Sequence, residues 1–115
     1  MRVLVCGGRD FRNVALLCYH LDGINWKLGI SAVIHGSARG ADSLADNWAK
    51  SRDIPRLRFP ADWAANGRAG GPIRNRQMLV QGKPDLVVAF PGGDGTADMI
   101  RQAVFAGVKV FEVYV

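Results

Sequence analysis

The segment Leu86-Val87-Val88-Ala89-Phe90 constrains the fold most strongly: it is apolar at every position and runs straight into Pro91-Gly92-Gly93-Asp94-Gly95-Thr96. An unbroken apolar run of strand length predicts a strand buried on both faces, as in a parallel sheet covered by helices on either side. The glycine-rich turn behind it predicts a tight passage from strand to helix.

The rest of the chain repeats this pattern. Arg2 to Cys6 reads as a first strand ending in Gly7-Gly8. From Val14 to Leu28, apolar residues recur at Val14, Leu17, Cys18, Leu21, Ile24 and Leu28, the spacing of one helical face, with Gly29 placed to end the helix. Ala32 to Ile34 predicts a second strand closed by His35-Gly36. Ala41, Leu44, Ala45 and Trp48 mark a second helix that stops before Pro55, and Arg56 to Phe59 an edge-like third strand. Pro60 to Gly71 reads as a loop and Pro72 to Gln81 as a third helix, Pro72 suiting its first turn. After the Leu86–Phe90 strand, a last helix is expected with Thr96 as cap and Met99, Ile100, Ala103 and Val104 toward the core. Gly107 suits its C-terminal end, and Lys109 to Val115 supplies a fifth strand. Alternating strands and helices predict an α/β fold: a Rossmann-like three-layer sandwich, with a five-stranded parallel sheet of order 3-2-1-4-5 and helices on both faces. At 115 residues, 1–115 reads as a single domain.

Composition narrows the function classes. No apolar run approaches the roughly 18 residues of a membrane span, and the N-terminal stretch is too short for a secretory signal, so a cytoplasmic protein without a membrane partner is expected. Cys6 and Cys18 lack any zinc or disulfide spacing, so no metal site is expected; they read as small buried hydrophobes. The net charge of +5 is carried mainly by arginine, whose planar fork suits phosphate or carboxylate.

In an open parallel sheet, ligands bind beyond the carboxyl ends of the strands where the order reverses. Three glycine-rich segments should meet there: Gly7-Gly8-Arg9-Asp10, His35 to Asp42, and Pro91 to Thr96. Glycines let a backbone approach an anion closely, and the first amides of the following helix are free donors. The candidate ligand-binding residues are Gly7, Gly8, Arg9, Asp10, Gly36, Ser37, Arg39, Gly40, Asp42, Arg74, Arg76, Pro91, Gly92, Gly93, Asp94, Gly95 and Thr96. Trp63 is a candidate cover for a base, and His35 is expected to make a structural hydrogen bond.

These segments, together with Gly71-Pro72-Ile73-Arg74-Asn75-Arg76-Gln77-Met78, resemble the SLOG superfamily, in particular its small YspA/YpsA-related group, along essentially the whole chain. Pro91 to Thr96 is similar to the P-G-G-x-G-T signature of LOG phosphoribohydrolases. Ser37 to Asp42 lies in a stretch similar to one in the DNA-processing protein DprA. The resemblance implies binding or sensing of a nucleotide or nucleotide-derived ligand, and a homo-oligomer; no cofactor is expected, since cradling a phosphate does not itself require one. It also implies two alternatives: N-glycosidic hydrolysis of a nucleoside monophosphate, and DprA-like binding of single-stranded DNA. In LOG-like enzymes an arginine at the place of Arg76 works with a glutamate three residues beyond the threonine. Here that position is Met99, with Asp98 one residue earlier, so Arg76 and Asp98 are the catalytic candidates of the hydrolase alternative.

Overall fold

The computed structural model describes residues 1–114. It contains strands β1 (Arg2–Cys6), β2 (Ala32–His35), β3 (Arg56–Arg58), β4 (Leu86–Ala89) and β5 (Lys109–Glu112). Every ladder is parallel and the order is β3-β2-β1-β4-β5, as the sequence predicts. β1 and β4, central in that order, are almost wholly buried, which is why they read as continuous apolar runs.

Helices α1 (Val14–Leu28) and α2 (Ala41–Ser51) cover one face of the sheet. Their Leu17, Leu21, Ala45 and Trp48 pack against Val3, Val5, Val33 and Val88. The other face holds Leu4, Ile34, Val87 and Ala89 beneath α4 (Gly70–Gly82) and α5 (Asp94–Phe105), which contribute Met78, Met99 and Ala103. Fully burying each such side chain contributes roughly 1.5–3 kcal/mol before the entropy of ordering is set against it. No helix is long and apolar enough to cross a membrane among the described residues.

Several local expectations differ from the structure. Residues 60–71 are not one loop: a single helical turn, α3 (Trp63–Asn66), is capped by the Asp62 carboxylate, which accepts the Ala65 N–H. A 3₁₀ turn over Gly67–Ala69 then leads into α4, which begins at Gly70. Neither turn buries a side chain, so no apolar periodicity could announce them. Val14, Leu28 and Val104 are exposed rather than core-facing, since they lie at helix ends or on the outer flank. Thr96 is not the cap of α5. Gly93 holds that position without any side-chain hydrogen bond, and Thr96 is buried one turn in. Val115, the end of the expected fifth strand, lies outside the described residues.

Candidate functional site

The β1–α1, β2–α2 and β4–α5 loops meet beyond the carboxyl ends of the central strands, and they do so by packing backbone on backbone. Gly8 N–H donates to the Pro91 carbonyl at 2.8 Å, and Ala41 N–H donates to Gly8 at 3.2 Å. A Cβ on Gly7 would come within 2.6 Å of Ala41 Cβ, and one on Gly8 within 2.9 Å of the Pro91 oxygen. Gly40 has φ +81°, and a Cβ there would overlap the carbonyl of Gly8. A side chain on Gly92 would overlap Thr96 Oγ1. These four glycines are thus required by loop-to-loop contact alone.

Gly93 and Gly95 differ. A Cβ at either would point into open space, yet both line a cavity of about 610 Å³. Gly95 lies in the first turn of α5, where alanine would favour the helix by roughly 1 kcal/mol. No internal contact explains either residue.

That cavity opens between the start of α5, the pocket-facing side of α4 and the ends of β1 and β2. Ten of the residues anticipated from sequence line it: Gly7, Gly8, Arg9, Asp42, Arg74, Gly93, Asp94, Gly95, Thr96 and Asp98. Others are placed elsewhere. Gly36, Ser37 and Arg39 line an adjoining chamber of about 370 Å³, while Asp10, Pro91 and Gly92 border a shallower depression on the far side of Gly8. Gly40 is consumed by packing. Arg76 is exposed on α4 and lines neither the cavity nor the chamber; Arg74 reaches in instead. The buried positions Gly71, Asn75, Met78 and Gly82 fix the inner face of α4, and Arg76 points away from it. The same helical logic acts on α5. Met99 is fully buried under the sheet, which turns Asp98 toward the cavity. Trp63, Arg68, Asn75 and Arg101 also line it; Arg68 and Arg101 carry no sequence signal beyond their charge.

Arg74 is the principal cation of the floor. Its Nη1 donates to the Gly36 carbonyl (2.6 Å) and its Nε to Asn75 Oδ1 (3.0 Å), which fixes the guanidinium plane. Among the described residues no carboxylate forms an ion pair with it. Burial draws its pKa down, partly offset by nearby Asp42, and it remains a cation. Asn75, held by Arg74, donates in turn to Asp98 Oδ2 at 3.0 Å, which also accepts from Gln102 at 2.8 Å.

The β2–α2 loop spends its polar groups internally. The buried Asp42 carboxylate accepts Gly36 N–H (3.1 Å) and Ala38 N–H (3.3 Å). Burial raises its pKa, and those two bonds, His35 and Arg74 pull the other way. Ser37 holds φ +59° while its N–H donates to His35 Nδ1 at 3.0 Å. The opposite ring nitrogen, Nε2, is 2.7 Å from Asp46 Oδ1, so His35 makes the structural bonds expected of it. Asp46 also receives Arg58 through two bonds, at 2.9 and 3.0 Å, and Arg56 at 3.2 Å. The bonds from Arg58 first, and then from His35, hold its carboxyl well below the ordinary range despite a smaller opposing effect of burial. Cys6, at the bottom of the cavity, has its thiol pushed up to about 12 by burial and by the Asp42 carboxylate, so it is not a nucleophile at neutral pH. Trp63 lies flat over Gly70 and Gly71, where a Cβ would come within 3.1 Å of its ring, and Arg9 stacks on it at 5.4 Å.

Comparison with known proteins bears on the same loops. The "Gene 61 protein" of Mycobacterium phage D29 is 34% identical over 117 residues, an alignment covering 95% of this chain and 93% of that relative. Residues 1–65 match the model of one family, and this span takes in the first two of the three glycine-rich loops. The chain belongs to the YspA, cpYpsA-related SLOG family.

Proposed function

We propose that this protein binds a nucleotide or nucleotide-derived ligand, with an anionic group seated between Arg74 and the first turn of α5. The observation that carries this reading is Arg74: a half-buried guanidinium, fixed in its plane, facing a cavity and lacking a carboxylate partner among the described residues. Holding such a cation out of water is costly, and an anionic ligand would offset that cost. The uncapped amides of α5 and the helix dipole add donors aimed at the same space, and Gly93 and Gly95 leave room for an oxygen to approach. Family membership supports the nucleotide class. Trp63 and Met78 supply apolar surface for a base, and Asp94 a carboxylate for a ribose hydroxyl. Calorimetry against nucleoside mono- and diphosphates tests the reading. Saturable binding that weakens about tenfold or more in Arg74→Ala is expected; a panel without binding contradicts it.

A second reading, hydrolysis of an N-glycosidic bond, rests on Asp98. Its carboxylate lies on the cavity wall and is oriented by Asn75 and Gln102, the support that a base activating water would need. It predicts release of free base from a nucleoside monophosphate, abolished in Asp98→Asn while binding persists. A wild type that releases no base removes it.

A further inference from the structure

The chamber of about 370 Å³ beside the main cavity differs from it in charge. Its charged lining is Arg9, Arg39 and Arg74, with no carboxylate, whereas the main cavity mixes arginines with Asp42, Asp94 and Asp98. Three arginines around one concave space raise a positive potential there. The Gly36 carbonyl, which accepts Arg74 Nη1, offsets one of the three from the chamber wall. Asp10 touches Arg39, but at 3.6 Å with both side chains mostly in solvent, an ion pair of small worth. Asp10 lines neither space.

The two spaces are neighbours. Arg9, Ala38, Trp63 and Arg74 line both, and Trp63 stands at the divide with Arg9 laid on its ring. A ligand held by Arg74 in the main cavity therefore lies next to the chamber, since Arg74 and Arg9 line both. A single phosphate against Arg74 and α5 would leave Arg39 and the chamber side of Arg9 unneutralised.

Building on the nucleotide reading, we propose that the ligand carries a second anionic group, seated in the chamber between Arg9 and Arg39 with Ser37 beside it. The chemical class is a nucleotide with a pyrophosphate group or a second, separate phosphate, rather than a nucleoside monophosphate. Arg39 is then the residue that selects for it.

Calorimetry on the full chain with adenosine 5′-monophosphate, 5′-diphosphate and 3′,5′-bisphosphate tests this. At least one of the doubly substituted nucleotides is expected to bind about tenfold or more tightly than the monophosphate, the scale of one charge-assisted contact. In Arg39→Ala that ratio should fall toward one. Arg39 is exposed, so the thermal midpoint of the variant should match the wild type and exclude a folding defect. The diphosphate and bisphosphate arms separate a linked second charge from a distant one. Monophosphate binding without any gain from the second group overturns this inference and leaves the nucleotide reading standing. A gain that survives Arg39→Ala overturns it as well. If none of the three binds, both readings fall.

Discussion

The β2–α2 and β4–α5 loops both leave a buried parallel strand, both are rich in glycine, and both border the site, yet they use glycine for different reasons. In the first loop, Gly40 is fixed by a positive φ and by contact with the Gly8 carbonyl, and the amides of residues 36 to 38 are bonded to Asp42 and His35. In the second, Gly93 and Gly95 face open space, while the helices behind both loops start without a side-chain cap. One loop is scaffold. In the other, no internal contact accounts for Gly93 or Gly95. Glycine content alone does not distinguish them; what each missing Cβ would have touched does.

The largest effect should come from breaking the scaffold loop. Gly40→Ala places a Cβ against backbone and forces an L-residue into a region open almost only to glycine. A loss of about 3 kcal/mol or more in urea denaturation is expected, a large share of a typical domain's stability. Gly95→Ala should behave oppositely. It should raise stability by about 0.5–1 kcal/mol through helix propensity, while weakening ligand binding about tenfold by crowding the anion site. A Gly95→Ala protein that is less stable, or binds equally well, would erase the distinction between the loops.

Two aspartates of α2 sharpen the comparison through pH. Asp46, depressed by Arg58 and His35, contributes stability that is present above the ordinary carboxylate value of about 4 and is lost as pH falls further. Asp46→Asn should therefore lower the thermal midpoint at pH 7 and converge on the wild type in acid. Asp42 is raised, so its contribution is present below about 4 and is lost as pH rises through its folded value. Asp42→Asn, which keeps an acceptor for the two amides, should flatten that loss toward neutral pH. The smallest effect expected is on binding: removing the Asp42 charge beside Arg74 should strengthen a phosphate ligand by about two- to fivefold, with the gain shrinking in salt. Melting and titration across pH 3 to about 8 check both signs.

The sheet order and the extent of α1 were legible because apolar residues recur there at the period of each element. The convergence of the three loops followed from topology. The short turns at 63–69 were not legible, since none of their side chains is buried. The choice between Arg74 and Arg76 depends on the phase of α4. That phase is set by Gly71, Asn75, Met78 and Gly82, and three of these are not apolar core residues in a hydropathy reading. Asp98 was legible by contrast, because Met99 was expected to face the core and is fully buried there.

Amide NMR of the ¹⁵N-labelled protein, titrated with adenosine 5′-monophosphate, tests the central claim most directly. Saturable shifts should be largest at Gly93, Asp94, Gly95 and Thr96, with Gly36 and Ala38 moving little because their N–H groups are already bonded to Asp42. Shifts concentrated on the β2–α2 amides, or none at saturating nucleotide, would contradict the account.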